Sequence, residues 1–529
     1  MALWLREVKL ELSVDESALP GICAELLGLE SGDLRNFRIV RRAIDARKKN
    51  NILNVYTVEF HVKDEVALLA RQQGNQALVQ APEPVDLLWP TLNEKRQVVV
   101  VGMGPCGLFA ALRLAEAGAR VTLIEQGRPV EARVRDVERF WSGGELDFAS
   151  NVQFGEGGAG TFSDGKLTTR LNHPRLRAIL ETFVSFGAPE RILVEAKPHI
   201  GTDRLRELLV RFRRKLESLG VDLRFETCLT GLDTQQGRVA GAILNDRDVF
   251  PCDALIVAPG HSARPTYRML EHCGVGLAAK DFAVGVRIEH PVELINRAQY
   301  GRFSEQLPAA DYTLRFNDKA SGRGVYSFCM CPGGEVVNAS SEAGGLVVNG
   351  MSRAARTGQF SNSALVVTVN PSDWKASAGP LAGMDYQQQL ERKAFAVASD
   401  YRPPAQNLLD FLGKGSGPIV SSCRPGVVEA RLDNILPPVV VAGLRKALPQ
   451  FDRRIRGFVS EEAVLIGVET RTSAPVRILR DKQGESVTHP GLFPAGEGAG
   501  YAGGIMSSAL DGLFVADQVV QKLCHRSVE

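Results

Sequence analysis

The sequence carries almost no net charge, no long apolar run and no CxxC pair of cysteines. Its 63 Lys and Arg residues against 61 Asp and Glu leave a net charge of +2. So small a charge creates no overall field that favours nucleic acid or an anionic membrane. No apolar run reaches the roughly 18 residues of a membrane span. Arg6, Glu7 and Lys9 interrupt the apolar N-terminus, so no signal peptide is expected.

The cysteines are scattered rather than paired. There are nine, an odd number. This usage favours reduced and mostly buried thiols, and therefore a cytoplasmic protein. The absence of a CxxC pair also argues against a disulfide-reductase mechanism.

The length of 529 residues corresponds to about three domains. Residues 1–90 predict a small α+β domain, with strands over 8–14, 37–44 and 52–62 and a helix over 17–27. Three prolines in 81–90 indicate a linker. The main body covers 96–281 and 456–529, where 221–233 predicts a strand that enters a hairpin. Residues 282–455 have the strand-rich pattern of an inserted domain.

A basic run lies in the N-terminal domain between Arg35 and Lys49, where Asp45 is the only acid. One interpretation is a docking surface for RNA or protein. The other is a solvated strand-and-turn face. Phe37 and Tyr56 alone do not form a stacking platform for bases, so nucleic acid is not the expected partner.

A glycine-rich turn in the main body predicts a nucleotide site. An apolar strand over 98–102 leads through Gly102, Gly104 and Gly107 into a helix over about 105–118, and a second strand ends at Glu125. Gly102 allows the turn, Gly104 lets the backbone approach a pyrophosphate, and Gly107 lets the helix pack on the strand. The helix N-terminus supplies amides for the phosphates. Glu125 is placed to accept hydrogen bonds from ribose hydroxyls.

The other glycine motifs are, by themselves, weaker evidence for a nucleotide site. GxGxxG recurs at 155–160 and at 498–503, and residues 160–167 approach a phosphate-binding P-loop. Leu167 stands where such a loop needs Ser or Thr for magnesium, so ATPase or GTPase chemistry is excluded. No metal site is predicted.

Residues 97–127 resemble the FAD-binding βαβ unit of the two-dinucleotide-binding-domain flavoproteins. The segments 255–260 and 491–516 are similar to that group's second and C-terminal glycine motifs, with Glu497 where Asp is commoner. More specifically, 154–170, 285–291, 329–352 and 469–478 resemble the poorly characterised FAD-dependent dehydrogenases, which are similar to the wider HI0933-like flavoproteins.

The resemblance implies an α/β fold: a doubly wound Rossmann-like FAD-binding domain, the inserted domain as a substrate domain, and the small N-terminal domain. It also implies FAD as the cofactor. The FAD is expected to be non-covalent, because no His or Cys has a context that indicates linkage. NAD(P)H could serve as a transient electron donor, although no second βαβ unit for it is visible. The expected cofactor contacts are Gly102, Gly104, Pro105, Cys106, Gly107, Glu125, Gln126, Gly158, Thr161, Ser163, Asp164, Lys166, Ala258, Gly260, Gly496, Glu497, Gly503, Gly504 and Ile505.

The function expected from this resemblance is a FAD-dependent dehydrogenase or reductase. Its small-molecule substrate would lie between the FAD domain and the inserted domain. Two alternatives stay open: a flavin-dependent RNA-modifying enzyme that grips RNA with the basic N-terminal domain, and a non-catalytic flavin redox sensor.

No catalytic acid or base is predicted, because the cofactor carries the chemistry in flavoenzymes. Cys329 and Cys331 would share one face of a strand, as redox contacts or as packed small side chains. Arg471 would hold an anionic substrate or stabilise reduced flavin, or else form a structural ion pair. His261, and Arg287 with His290 on an alternating strand, are weaker candidates.

Overall fold

The computed structural model describes residues 1–83, 85, 87–374 and 379–525. Pro84 and Asp86 of the expected linker lie outside the described residues, as do 375–378 of the inserted domain and the last four residues of the segment 456–529.

Helices and strands occur along the whole chain, and several strands follow one another directly in its middle and C-terminal parts. The strands are β1 Leu3–Glu11, β2 Arg35–Asp45, β3 Leu53–His61, β4 Leu78–Gln80, β5 Gln97–Val101, β6 Arg120–Ile124, β7 Asp222–Arg224, β8 Leu229–Gln235, β9 Arg238–Leu244, β10 Asp248–Pro251, β11 Ala254–Val257, β12 Leu277–Ala279, β13 Phe282–Pro291, β14 Arg315–Asp318, β15 Arg323–Asn338, β16 Val348–Met351, β17 Phe360–Val369, β18 Pro404–Asn407, β19 Val428–Glu429, β20 Val464–Glu469, β21 Val476–Ile478 and β22 Leu492–Pro494. The helices are α1 Leu19–Leu27, α2 Glu65–Arg71, α3 Pro105–Glu116, α4 Val130–Trp141, α5 Arg175–Ser185, α6 Thr202–Ser218, α7 Arg264–His272, α8 Val292–Tyr300, α9 Ala382–Phe395, α10 Leu408–Phe411, α11 Pro438–Arg454 and α12 Ile505–His525.

The N-terminal strands form one antiparallel sheet in the order β2-β3-β1-β4. In β1 the apolar residues Leu3, Leu5, Val8 and Leu10 are buried while residues between them are exposed, because successive side chains of a strand point to opposite faces. Helix α1 ends at Gly28, which has a left-handed backbone conformation with φ of +63°. The expected α+β pattern of this region is therefore present.

A five-stranded parallel sheet forms the centre of the main body, in the order β22-β11-β5-β6-β7. Strand β5 is buried from residue 98 onward, and α3 and α12 pack together against the sheet. Parallel strands buried on both faces are apolar runs, as the sequence of β5 shows. The α/β doubly wound, Rossmann-like fold is thus confirmed.

The strand expected over 221–233 is in fact two strands. β7 is the last strand of the parallel sheet, whereas β8 belongs to a separate antiparallel sheet in the order β10-β9-β8. Between them Glu226 has a positive φ of 52°. The chain leaves one sheet there and enters the other, which the pattern of apolar and polar residues over 221–233 does not reveal.

The largest sheet belongs mainly to the inserted region, in the order β14-β15-β17-β13-β20-β18-β19, with β16 paired to β15. Its strand β20 lies beyond residue 455, the expected end of the insertion. Strand β13 lies between β17 and β20, and all its residues from Phe282 to His290 are buried, so both of its faces are covered. Arg287 and His290 lie on this strand, as expected, and both side chains are buried.

The N-terminal domain is attached to both other parts of the molecule. The Arg42 amide donates to the Val194 carbonyl at 2.7 Å, and the Ala196 amide donates to the Arg42 carbonyl at 2.8 Å. Ile52 is 2% exposed and belongs to the apolar core of the large sheet. Among the residues that the structure describes, no helix is long and apolar enough to cross a bilayer.

Candidate cofactor and substrate site

Glycine turns from distant parts of the chain meet at one edge of the parallel sheet. A side chain at Gly102, whose φ is +97°, would collide with the carbonyl oxygen of Ala258, which follows β11. A side chain at Gly498, after β22, would lie 2.5 Å from the carbonyl oxygen of Gly260. The carboxyl ends of parallel strands share one edge, which is where doubly wound folds bind ligands. The glycine turns after β5, β11 and β22 therefore converge at this edge.

Gly104 leaves open space where a phosphate would have to approach. A Cβ built on Gly104 would meet no atom closer than the Gly158 Cα, at 4.0 Å. A Cβ on Gly107, by contrast, would collide with the Gly102 carbonyl oxygen. Helix α3 begins directly after Gly104, so its first amides face this space without partners in the helix. A cradle that one methyl group would fill, at a helix N-terminus, fits the pyrophosphate of FAD.

The Glu125 carboxylate joins the two glycine-rich loops beside this cradle. It accepts hydrogen bonds from the amides of Met103 at 2.9 Å, Gly127 at 3.0 Å and Gly155 at 3.0 Å. It also lines the cavity described next. Glu125 therefore organises backbone in addition to its predicted contact with ribose, which stays a prediction.

One cavity of about 1520 Å³ runs along the cradle and onward to the inserted region. Of the expected cofactor contacts, all but Gly107 and Thr161 line it. Gly107 packs against the Gly102 turn. The Thr161 hydroxyl instead accepts from Arg133 at 3.1 Å and donates to the Glu156 carbonyl at 3.2 Å. Neither residue is placed to touch a molecule in the cavity.

The loop after α4 is held by a buried cation that the sequence did not single out. Arg133 is completely buried, and its guanidinium donates to the carbonyls of Asn151 at 2.8 Å, Val152 at 3.0 Å and Glu156 at 2.6 Å. Burial lowers the pKa of Arg133 to about 9. A charged helix offers no local sign that one of its arginines turns inward.

Two predicted polar contacts in this loop already bind protein groups. Asp164 accepts from the Arg356 guanidinium, with Nε at 2.9 Å, and from the Ser352 hydroxyl. The Ser163 hydroxyl donates to the Gly160 carbonyl at 2.7 Å. The bonds of Asp164 fasten the glycine-rich loop to the inserted region, whereas the bond of Ser163 lies within the loop.

The C-terminal glycine motif is held by a second carboxylate that sequence reasoning missed. Asp511 on α12 accepts from the Gly496 amide at 2.7 Å and pairs with Arg480 at 2.6 Å. Glu497 lines the cavity and accepts from the Gly504 amide at 3.2 Å. Its role toward the ribityl chain of a cofactor stays a prediction.

The two cysteines of β15 do not sit in a regular strand. The pairing of β15 with β17 shifts register between Phe328 and Cys331, and Cys329 has a positive φ of 41°. Cys329 is exposed to the cavity, whereas Cys331 is buried and its thiol donates to the Cys329 carbonyl at 3.4 Å. Burial raises the pKa of the Cys331 thiol, so it is present as a thiol rather than a thiolate.

Arg471 lines the cavity and forms the structural ion pair that was one of its expected roles, while its contact with a substrate or the flavin stays a prediction. Its guanidinium donates to both carboxylate oxygens of Glu391, at 2.9 and 2.7 Å, and to the Ser341 hydroxyl at 2.6 Å. Arg264 binds the same carboxylate at 2.8 Å. Burial alone would raise the pKa of Glu391, but the two arginines hold it well below its usual range.

The remaining candidates differ in their access to the cavity. His261 lines it and bonds the Ser262 hydroxyl at 2.9 Å, and burial lowers its pKa. Arg287 and His290 are fully buried outside its wall. Arg287 donates to the Cys329 carbonyl at 2.8 Å, so it supports the cavity wall from behind.

Three of the seven basic residues in the run from Arg35 to Lys49 form ion pairs. Arg38 pairs with Glu59, Arg42 with Glu16, and Arg47 with Asp45 at 2.6 Å. Arg42 and Arg47 also line the cavity. These two residues form part of a pocket wall, whereas Arg35, Arg41, Lys48 and Lys49 are exposed. That nucleic acid is not the partner stays a prediction.

Comparisons with known proteins identify the cofactor. A family model described as "FAD binding domain" matches residues 97–163, and one described as "FAD-dependent protein, C-terminal domain-like" matches 281–472. A domain of unknown function matches 5–61. An uncharacterized protein of Clostridium beijerinckii is 43% identical over 530 residues, 99% of each chain. A thiamine thiazole synthase of Aeropyrum pernix is 66% identical over 32 residues, 6% of this chain and 12% of that protein.

Solved structures offer only distant similarity. Glycine oxidase from Bacillus cereus is 11% identical, with a TM-score of 0.34 over 81% of this chain and 98% of that one. A geranylgeranyl bacteriochlorophyll reductase-like protein of Thermoplasma acidophilum is 14% identical, with a TM-score of 0.36 over 82% and 83% of the two chains. Scores this low say nothing about function.

The cofactor of this chain is FAD, as the resemblance implied. The broader resemblance to FAD-dependent flavoproteins is confirmed by the two family models and the clostridial relative. The narrower similarity to HI0933-like flavoproteins has no support in these matches.

Proposed function

We propose that this chain, which belongs to the same family as the clostridial protein, is an oxidoreductase that acts on an organic substrate held between its FAD-binding domain and its inserted domain. One observation carries the proposal: the glycine turns of the parallel sheet and the bulged part of β15 line the same cavity. Its volume of about 1520 Å³ exceeds the roughly 300–1,000 Å³ of a typical small-molecule pocket. A second molecule therefore has room beside the cofactor.

In this proposal FAD supplies the hydride or electron transfer, and the protein binds, orients and excludes water. Gly104 and the start of α3 hold the pyrophosphate, and Glu125 keeps the two adjoining loops in place. On the substrate side, the Cys329–Met330 peptide is fixed from two directions. Arg287 donates to the Cys329 carbonyl, and Lys166 donates to the Met330 carbonyl. A wall held in this way keeps a substrate in one orientation.

We further propose that the FAD is non-covalent, that NAD(P)H donates electrons transiently, and that the protein is cytoplasmic. The location is supported by nine cysteines that are all free thiols.

The test begins with the absorbance spectrum of the purified protein and chromatography of the flavin released by acid. The holoenzyme is then mixed anaerobically with NADH or NADPH, and bleaching of the flavin is followed by stopped flow. Admission of oxygen or a quinone tests repeated turnover. Repeated reduction and reoxidation is the expected result. A flavin that is reduced once and never turns over with any acceptor would favour the redox-sensor alternative, and a colourless protein that does not take up FAD would contradict the proposal.

A further inference from the structure

We propose that the part of the cavity under the N-terminal domain binds the acidic group of an anionic substrate, along the extended segment 166–170. This inference rests on the proposed function, because the anion is taken to be the molecule that reacts at the FAD site. We call this part the outer compartment. It is lined by residues 42–44 of β2 and 46–47 after that strand, by 195–199, by 306–309 and 311–313, and by Lys166, Thr168 and Arg170 of the segment 166–170.

The segment 166–170 presents three polar side chains to the cavity. Lys166, Thr168 and Arg170 line it, whereas Leu167 between them is 3% exposed and lies in the core of the FAD-binding domain. The Leu167 amide donates to the Pro198 carbonyl at 2.9 Å, which fixes the segment beside 195–199. Alternate residues of an extended chain share a face. The sequence KLTTR therefore places two cations and one hydroxyl in a row along one wall.

These two cations differ from the other cations of the compartment. Among the described residues, neither Lys166 nor Arg170 forms an ion pair, and the Lys166 ammonium donates to a neutral carbonyl, that of Met330. By contrast, Arg42 pairs with Glu16 and Lys197 pairs with Asp311 at 2.7 Å. Cations without a protein counter-charge in a cleft concentrate anions there. Lys166 and Arg170 are thus the groups available to an acidic ligand.

The N-terminal domain closes this compartment on the other side. Ile44 of β2 lines it and is 39% exposed, and Ala46 lies beside it. Movement of this domain away from the cavity would break the backbone hydrogen bonds between Arg42 and the segment 194–196. It would also expose Ile52, which is buried in the core of the large sheet. Leu307 and Phe328 add further apolar surface. The compartment therefore suits a molecule with an apolar body and a carboxylate or phosphate group.

The test uses the FAD-loaded full chain and three probes of similar size: 4-phenylbutyrate, phenyl phosphate and the neutral 4-phenylbutyramide. Each is titrated while the flavin absorbance difference spectrum is recorded. Arg170→Glu is compared with Arg247→Glu, since Arg247 is an exposed arginine in a hairpin turn outside the cavity wall. In the wild type we expect at least one anion to bind about tenfold or more tightly than the amide. The tighter anion then identifies a carboxylate or a phosphate ligand.

Arg170→Glu should weaken anion binding by about tenfold or more, without changing amide binding or FAD content. Arg247→Glu should bind all three probes as the wild type does. The inference is overturned if the amide binds as tightly as both anions, if neither anion shifts the spectrum up to roughly 10 mM, or if Arg170→Glu binds anions normally. Failure of the proposed function would be seen differently, because the wild type would then fail to retain FAD or would show no repeated reduction and reoxidation of its flavin.

Discussion

Replacing Gly104 by alanine should abolish tight FAD binding while leaving the apoprotein folded. The new methyl group would lie 4.0 Å from the Gly158 Cα, an ordinary van der Waals distance, and Gly104 has a φ of −75° that any residue adopts. The protein alone therefore has room for it. The methyl group would, however, occupy the space through which a phosphate reaches the first amides of α3.

The magnitude follows from the hydrogen bonds at stake. A hydrogen bond to a charged group contributes about 1.5–3 kcal/mol. Loss of one such bond to the pyrophosphate weakens FAD binding roughly 10- to 150-fold. Gly104→Val, with its larger side chain, should prevent retention of FAD altogether.

Gly107→Ala is the matched control, because its methyl group would collide with the Gly102 carbonyl oxygen. Overpacking of this kind costs about 1–3 kcal/mol or more, so this variant should lower the unfolding midpoint of the apoprotein. The assay combines the FAD dissociation constant from fluorescence quenching with thermal unfolding of both apoproteins. Unchanged FAD affinity in Gly104→Ala would refute the cradle, and so would an equal loss of apoprotein stability in the two variants.

Three further predictions concern other parts of the molecule. Glu125→Gln should turn an amide nitrogen toward the Met103 amide in place of an acceptor, and weaken FAD binding by about 1–3 kcal/mol; an unchanged dissociation constant would remove Glu125 from the site. Burial lowers the pKa of His290 to about 4 in the folded protein. As the pH falls, the unfolded chain therefore takes up a proton at His290 before the folded protein does. The free energy of unfolding of the wild type should decrease as the pH is lowered from about 6.5 to about 4. His290→Gln, which keeps a donor for the Phe458 carbonyl, should lack this component in urea unfolding at several pH values; identical pH profiles would contradict it. Ile44→Trp should fill part of the outer compartment and weaken binding of 4-phenylbutyrate with FAD affinity intact, and normal probe binding would argue against an N-terminal wall.

Local patterns were sufficient for the nucleotide-binding unit. Strand β5, its glycine turn and α3 each carry their own signal: a buried apolar run, residues that allow close approach, and a helix with proline at its first position. The expected strand ran to 102 and the observed one ends at Val101, a difference of one residue. The same reasoning failed where the pairing of distant strands decides the structure. Residues 221–233, for example, are divided between β7 and β8, which belong to different sheets.

Some residues of the candidate site could likewise be predicted from local sequence and others could not. The glycines at 102, 104 and 260 could be named because their function requires the absence of a side chain. The prediction that Thr161 contacts the cofactor was wrong, since its hydroxyl donates to the Glu156 carbonyl. No sequence pattern shows whether a threonine hydroxyl faces a ligand or a protein carbonyl. Arg133 was missed for the converse reason, since its burial depends on carbonyls that are brought together by the folded loop.

By itself the sequence determined the βαβ unit with its nucleotide site and the strand-rich insertion, because spacing, apolar runs and glycine positions act within a few residues of one another. That the nucleotide is FAD was implied by the family resemblance. Tertiary structure alone decided that β20 completes the large sheet, that Arg471 is neutralised by Glu391, and that the N-terminal domain closes the cavity. These features depend on partners far apart in the chain, whose pairing has an energy only once the fold has brought them into contact.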